Sequence, residues 1–83
     1  MLSDQDRTII HGAFQRGWRL LLRQERVTAD NIEAISASLL EGILVCVQSG
    51  EQNEIIVMAA GLQNTRDVTA VAQRQTKLES LLH

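Results

Sequence analysis

The sequence predicts an all-α fold, one small domain of three or four helices. Three observations carry that prediction. The 83 residues include no proline and only five glycines, so little interrupts a helical backbone. Apolar residues recur at helical spacing rather than alternating, over most of the chain. Residues that suit helix starts and stops fall between the apolar runs. A chain of 9.2 kDa holds one domain, 1–83, not two. Hydrophobic residues make up 45% and charged residues 22%, which excludes wholesale disorder.

The first helix is expected over about 4–24. Ser3 and Asp6 have capping-box spacing, with the shorter acid in place of glutamate. On a wheel of roughly 100° per residue, Ile10, Phe14, Trp18 and Leu21 share one face. The aromatic pair at i, i+4 is the expected anchor of that face. Arg16, Arg19, Arg23 and Arg26 fall almost opposite. Gly12 and Gly17 interrupt this helix, at a cost of about 1 kcal/mol each relative to alanine. Gly17 lies on the apolar side, so close approach of another helix would explain it; a tolerated weakness is the plainer account.

The second helix is expected over about 29–48. Thr28 suits an N-cap, Asp30 and Asn31 suit the first turn, and Val27 with Ile32 suits a hydrophobic staple. Ser49-Gly50 supplies a left-handed terminator. The apolar face holds Ile32, Ile35, Leu39, Ile43 and Cys46. The far face is not properly polar: Ala34, Ala37, Leu44 and Val45 sit there with Glu41 and Gln48. A helix apolar nearly all round is usually buried nearly all round. A chain this short cannot easily cover it, which points to a helical homodimer. Leu40, Leu44, Val45 and Val47 are the expected interface residues, and Val45→Glu tests that face.

A third helix is expected over about 52–63, and a fourth over about 66–82. Ile55, Met58 and Leu62 share one face, whereas Val68, Val71, Leu78 and Leu82 share another, rotated by roughly 150°. A straight helix cannot send both sets into one core. Asn64 or Thr65 could cap a new helix at the change of face. The alternative is one long helix whose C-terminal half packs on another subunit.

Net charge is −2, which gives no global pull toward nucleic acid or an anionic surface. The charge is unevenly spread. Residues 1–27 carry five arginines against three acids, and residues 28–54 carry five acids and no base. The N-terminus lacks a basic-then-apolar leader pattern, and no apolar run approaches the roughly 18 residues of a membrane span. A cytoplasmic protein with no membrane contact is the expectation.

The arginine row at 16, 19, 23 and 26 is the sharpest surface feature. It could grip phosphates or an acidic partner, or it could be an ordinary solvated helix face. A helix-turn-helix reading fails at the third helix, whose first residues bring Glu51 and Glu54 and no base toward the phosphates. With only Phe14 and Trp18 as aromatics, base stacking has little to work with. Cys46 reads as a small buried hydrophobe, and one cysteine with His11 and His83 shows no metal-ligand spacing. No acid, base and nucleophile set assembles, so no catalytic residue, metal or cofactor is expected. The expected function is a non-enzymatic protein–protein interaction module: a small homodimeric adaptor, regulator or inhibitor. The alternative is a small nucleic-acid-associated regulator using the arginine row.

Overall fold

The first helix, α1 (Asp4–Arg23), begins where the capping residues place it. Ser3 Oγ accepts from the Asp6 backbone N–H at 3.1 Å, and the Ser3 N–H donates to Asp6 Oδ2 at 3.3 Å. This reciprocal pair satisfies two donors that a helix start leaves open. At the other end the chain closes a Schellman motif. Arg26 N–H donates to Leu21 O and Glu25 N–H to Leu22 O, both at 3.1 Å. That geometry requires a left-handed residue, and Glu25 takes it with φ 56°. A side chain there costs roughly 1–2 kcal/mol. Glu25→Gly should therefore raise stability by about 0.5–1 kcal/mol, because the larger unfolded-state entropy of glycine offsets part of the relief. A thermal melt reads this as a midpoint a few degrees higher.

The second helix, α2 (Ile32–Gln48), starts later than Thr28 alone suggests. Thr28 and Asn31 do form a reciprocal pair: Thr28 N–H donates to Asn31 Oδ1 at 2.6 Å, and Asn31 N–H to Thr28 Oγ1 at 3.3 Å. Asn31 N–H also reaches Thr28 O at 3.2 Å, a tight i−3 bond, so residues 29–31 make a turn before the regular helix. Asn31 Nδ2 then donates to Arg26 O at 3.1 Å and ties this turn to the end of α1. At its far end α2 closes a second Schellman motif through Gly50, φ 101°, as the glycine predicts.

The structure is a computed structural model and describes residues 2–66 and Val68. A third helix, α3, begins at residue 54 and is described through 66. Asn53 caps it: its Oδ1 accepts from Ile55 N–H at 3.0 Å and from Ile56 N–H at 3.4 Å. The break expected at 63–65 does not occur, and α3 runs through those residues. Asn64 and Thr65 spend their polar groups elsewhere. Asn64 Nδ2 donates to Ser38 O at 2.7 Å, and Thr65 Oγ1 donates to Leu62 O at 2.6 Å. The remainder of the expected 66–82 helix lies outside the described residues. Among the described residues the fold is all-α, three helices without strands.

The core is a seam of small and medium side chains. α1 contributes Ile9, Ala13, Gly17 and Leu21; α2 contributes Ile35, Leu39, Ile43 and Val47; α3 contributes Val57, Gly61 and Thr65. This corrects three expected faces. On α1, Phe14 and Trp18 are only half-buried and flank the seam rather than anchor it. On α2, Ile32 is exposed, and Val47 replaces it in the core. On α3, Ile55 is exposed and Val57 is fully buried.

Small residues hold that seam because the helices cross closely. A Cβ on Gly17 would sit 3.1 Å from Leu39 Cδ1 and 3.6 Å from Met58 Cγ, so α2 and α3 both press on this point. The close-approach reading of Gly17 is the one that holds. α2 and α3 come nearer still. A Cβ on Gly42 would sit 2.9 Å from Ala60 O and from Gly61 Cα. One turn away, Ser38 Oγ donates to Asn64 O at 2.8 Å and completes a reciprocal pair with the Asn64 amide. Gly12 lies under the Glu54 carboxylate at the start of α3.

Candidate functional site

Core burial leaves a second apolar row on α1. Ile10, Phe14, Trp18 and Leu22 follow at i+4 steps, one position beyond the buried row. The first three are half-buried and Leu22 is 51% exposed. The Phe14 and Trp18 rings are stacked, with centroids 6.0 Å apart and planes 7° from parallel. Stacking holds these two large apolar groups in one relative orientation.

α2 runs antiparallel beside this row and extends it. Leu40, 39% exposed, and half-buried Leu44 face Ile10 and Phe14 across a groove of about 380 Å³. Leu2, Arg7 and His11 complete the lining. The result is a largely apolar groove between two helices, bordered by Arg7 and His11.

The four expected interface residues do not share one patch. Leu40 and Leu44 line the α1/α2 groove. Val45, 61% exposed, faces the opposite flank, in a groove of about 440 Å³ between α2 and α3 with Gly42, Cys46, Ala60 and Asn64. Val47 is 6% exposed and belongs to the chain's own core. The expectation that α2 leaves apolar surface uncovered does hold: Ala34 and Ala37 are exposed as well. Cys46 is half-buried beside the core rather than fully enclosed.

The arginine row divides too. Arg16 Nε lies 3.9 Å from Glu54 Oε2, a largely exposed pair that bridges α1 and α3. A pair this exposed contributes about 0–1 kcal/mol. Arg26 turns away from solvent, and its Nη2 donates to Thr65 Oγ1 at 3.4 Å on α3. This is a correction to the four-residue solvated face, because the chain reverses at Glu25 and carries Arg26 back onto the fold. Arg19 and Arg23 remain exposed on the outer side of α1.

Sequence reasoning missed the part Leu22 plays, since the wheel favoured Leu21 for the aromatic face. The i+4 spacing from Trp18 was the available signal. It also missed that Leu2 and His11 border the groove. Among the described residues no group of three His, Cys, Asp or Glu side chains could hold a metal ion. Among the same residues no helix is long and apolar enough to cross a membrane. No family model matches the chain, and no curated protein or solved structure shows significant similarity to it.

Proposed function

We propose that this chain is a non-enzymatic protein–protein interaction module, a homodimeric adaptor, regulator or inhibitor that docks through the α1/α2 groove. The observation that carries the reading is the half-exposed row of Ile10, Phe14, Trp18 and Leu22 beside Leu40 and Leu44. Stacked aromatics and leucines on two rigid helices are the kind of surface that supplies affinity by excluding water. Pre-ordered rings also lower the entropy lost on docking.

Size-exclusion chromatography with light scattering at micromolar concentration tests it. The chain is expected to run as a dimer. Leu40→Glu is expected to give a folded monomer, since a charge in the groove loses its water on association. Val45→Glu is expected to leave the dimer intact, because Val45 faces the other flank. A wild-type monomer under these conditions overturns the proposal.

The nucleic-acid alternative keeps fewer groups than the sequence suggests. Arg19 and Arg23 are exposed, whereas Arg16 pairs with Glu54 and Arg26 engages Thr65. A DNA or RNA band shift that weakens steeply with salt and disappears in Arg19→Glu/Arg23→Glu would favour it.

A further inference from the structure

Five of the seven residues that line the α1/α2 groove are apolar, and the other two are Arg7 and His11. Both of these side chains are exposed, and among the described residues neither has an ion-pair or hydrogen-bond partner. No acid lines the groove among the described residues. The acids of the first turn of α1, Asp4 and Asp6, lie outside the lining, and Asp6 Oδ2 already accepts from the Ser3 N–H. On α2, Glu41 lines the groove of the opposite flank. The α1/α2 groove thus has a basic lip that no described carboxylate of the chain matches.

Spacing brings the two polar side chains to one place. Arg7 and His11 are neighbours at i, i+4 on the α1 wall, so both can reach a single anion. A guanidinium offers a fork of donors that matches a carboxylate, and an imidazole offers at least one N–H. From Arg7 the wall continues past Ile10 to Phe14, about 10 Å along the helix axis. That is the length of a medium-chain alkyl tail. The groove volume of about 380 Å³ falls within the roughly 300–1,000 Å³ of small-molecule clefts. Such a site selects for amphipathy: a small anion leaves the apolar walls wet, and an apolar cation meets the basic lip.

We infer that the α1/α2 groove binds a medium-chain carboxylate, its head on Arg7 and His11 and its tail along Ile10, Phe14, Leu40 and Leu44. Burial of the tail supplies most of the affinity, and the head fixes its direction. This goes beyond the homodimer reading and does not rest on it. Because both use one groove, a bound carboxylate excludes a second copy from it.

Octanoate, titrated into the full chain below its micelle concentration and followed by amide chemical shifts, tests the site. Octylammonium shares the tail with the opposite head, and butyrate shares the head with a short tail. Octanoate is expected to saturate with a dissociation constant of about 1 mM. Octylammonium and butyrate are expected to bind about tenfold more weakly or worse. Arg7→Gln/His11→Gln should weaken octanoate about three- to tenfold with an unchanged melting midpoint, since both residues are exposed. Leu40→Glu, folded by circular dichroism, should abolish octanoate binding. Octylammonium binding as tight as octanoate, a double variant that binds octanoate like wild type, or no saturable octanoate binding overturns the inference. Sedimentation of the same samples reads the homodimer separately. A chain that is monomeric throughout and binds octanoate keeps this inference and removes the homodimer reading; a dimer that binds no octanoate does the reverse.

Discussion

Gly61→Leu is expected to remove a large share of the chain's stability, about 3 kcal/mol or more. Even an alanine Cβ at this position would sit 2.8 Å from Ile43 Cγ1 and 2.9 Å from Leu39 O. One of those neighbours is backbone in the middle of α2, which has no rotamer to escape into. Overpacking of a full side chain there costs about 3 kcal/mol or more. A chain of this length has roughly 4–12 kcal/mol to lose. Gly61→Ala is the graded version. It regains about 1 kcal/mol of helix propensity and should still be destabilised, by about 1–2 kcal/mol net. Urea unfolding followed by circular dichroism checks both. A Gly42→Ala/Gly61→Ala double variant should lose less than the two singles combined, since one side chain already separates the helices for the other. A Gly61→Leu protein that melts like wild type would show that α2 and α3 do not cross at these glycines.

Asn64→Ala is expected to cost about 2 kcal/mol with little change in helix content. The Asn64 amide donates to Ser38 O at 2.7 Å, and the Ser38 hydroxyl donates to Asn64 O at 2.8 Å. Ser38 is buried at 8% exposure, so its hydroxyl has little access to water. Removing the amide deletes one bond and leaves a small gap in a close-packed crossing. Ser38→Ala removes the other bond and should cost about 1 kcal/mol. Coupling between the two, measured by a double-mutant cycle in urea, should be of order 1 kcal/mol. Full additivity would mean that the two bonds form independently of one another.

Much of the fold is legible in the residues that begin and end helices. Ser3 with Asp6, and Gly50, do in the structure what their types predict. The large apolar residues misled. A wheel weighted by hydrophobicity puts Phe14 and Trp18 in the centre, yet the space between these helices admits only Ala13 and Gly17 there. Close crossing selects for small size, and small residues carry little hydrophobic signal. Asn64 and Thr65 misled in another way. Their types suit a helix start, and only the tertiary partner Ser38 and the back-bond to Leu62 O reveal why they sit inside a helix. Glu25 gave no warning of its left-handed backbone, because the usual marker for that position is glycine. For the proposed docking face, the surplus apolar surface of α2 was legible; which of its residues line the α1/α2 groove was not, since Leu40 and Val45 differ only in which neighbouring helix lies beside them.

The glycine crossing and the Ser38–Asn64 pair divide one task between them. Two smooth helix surfaces set how near the axes come, but smoothness alone would let α3 slide along α2. The hydrogen-bonded pair fixes the register. A slip of one turn, about 5.4 Å, would carry Gly61 away from Gly42 and bring Val57 or Thr65 against it, where a branched side chain does not fit. It would also part Ser38 from Asn64 and leave the serine hydroxyl under apolar cover. Such a slipped state is penalised twice, sterically and by desolvation. The close glycine crossing and the polar pair together thus hold α2 and α3 in a single alignment.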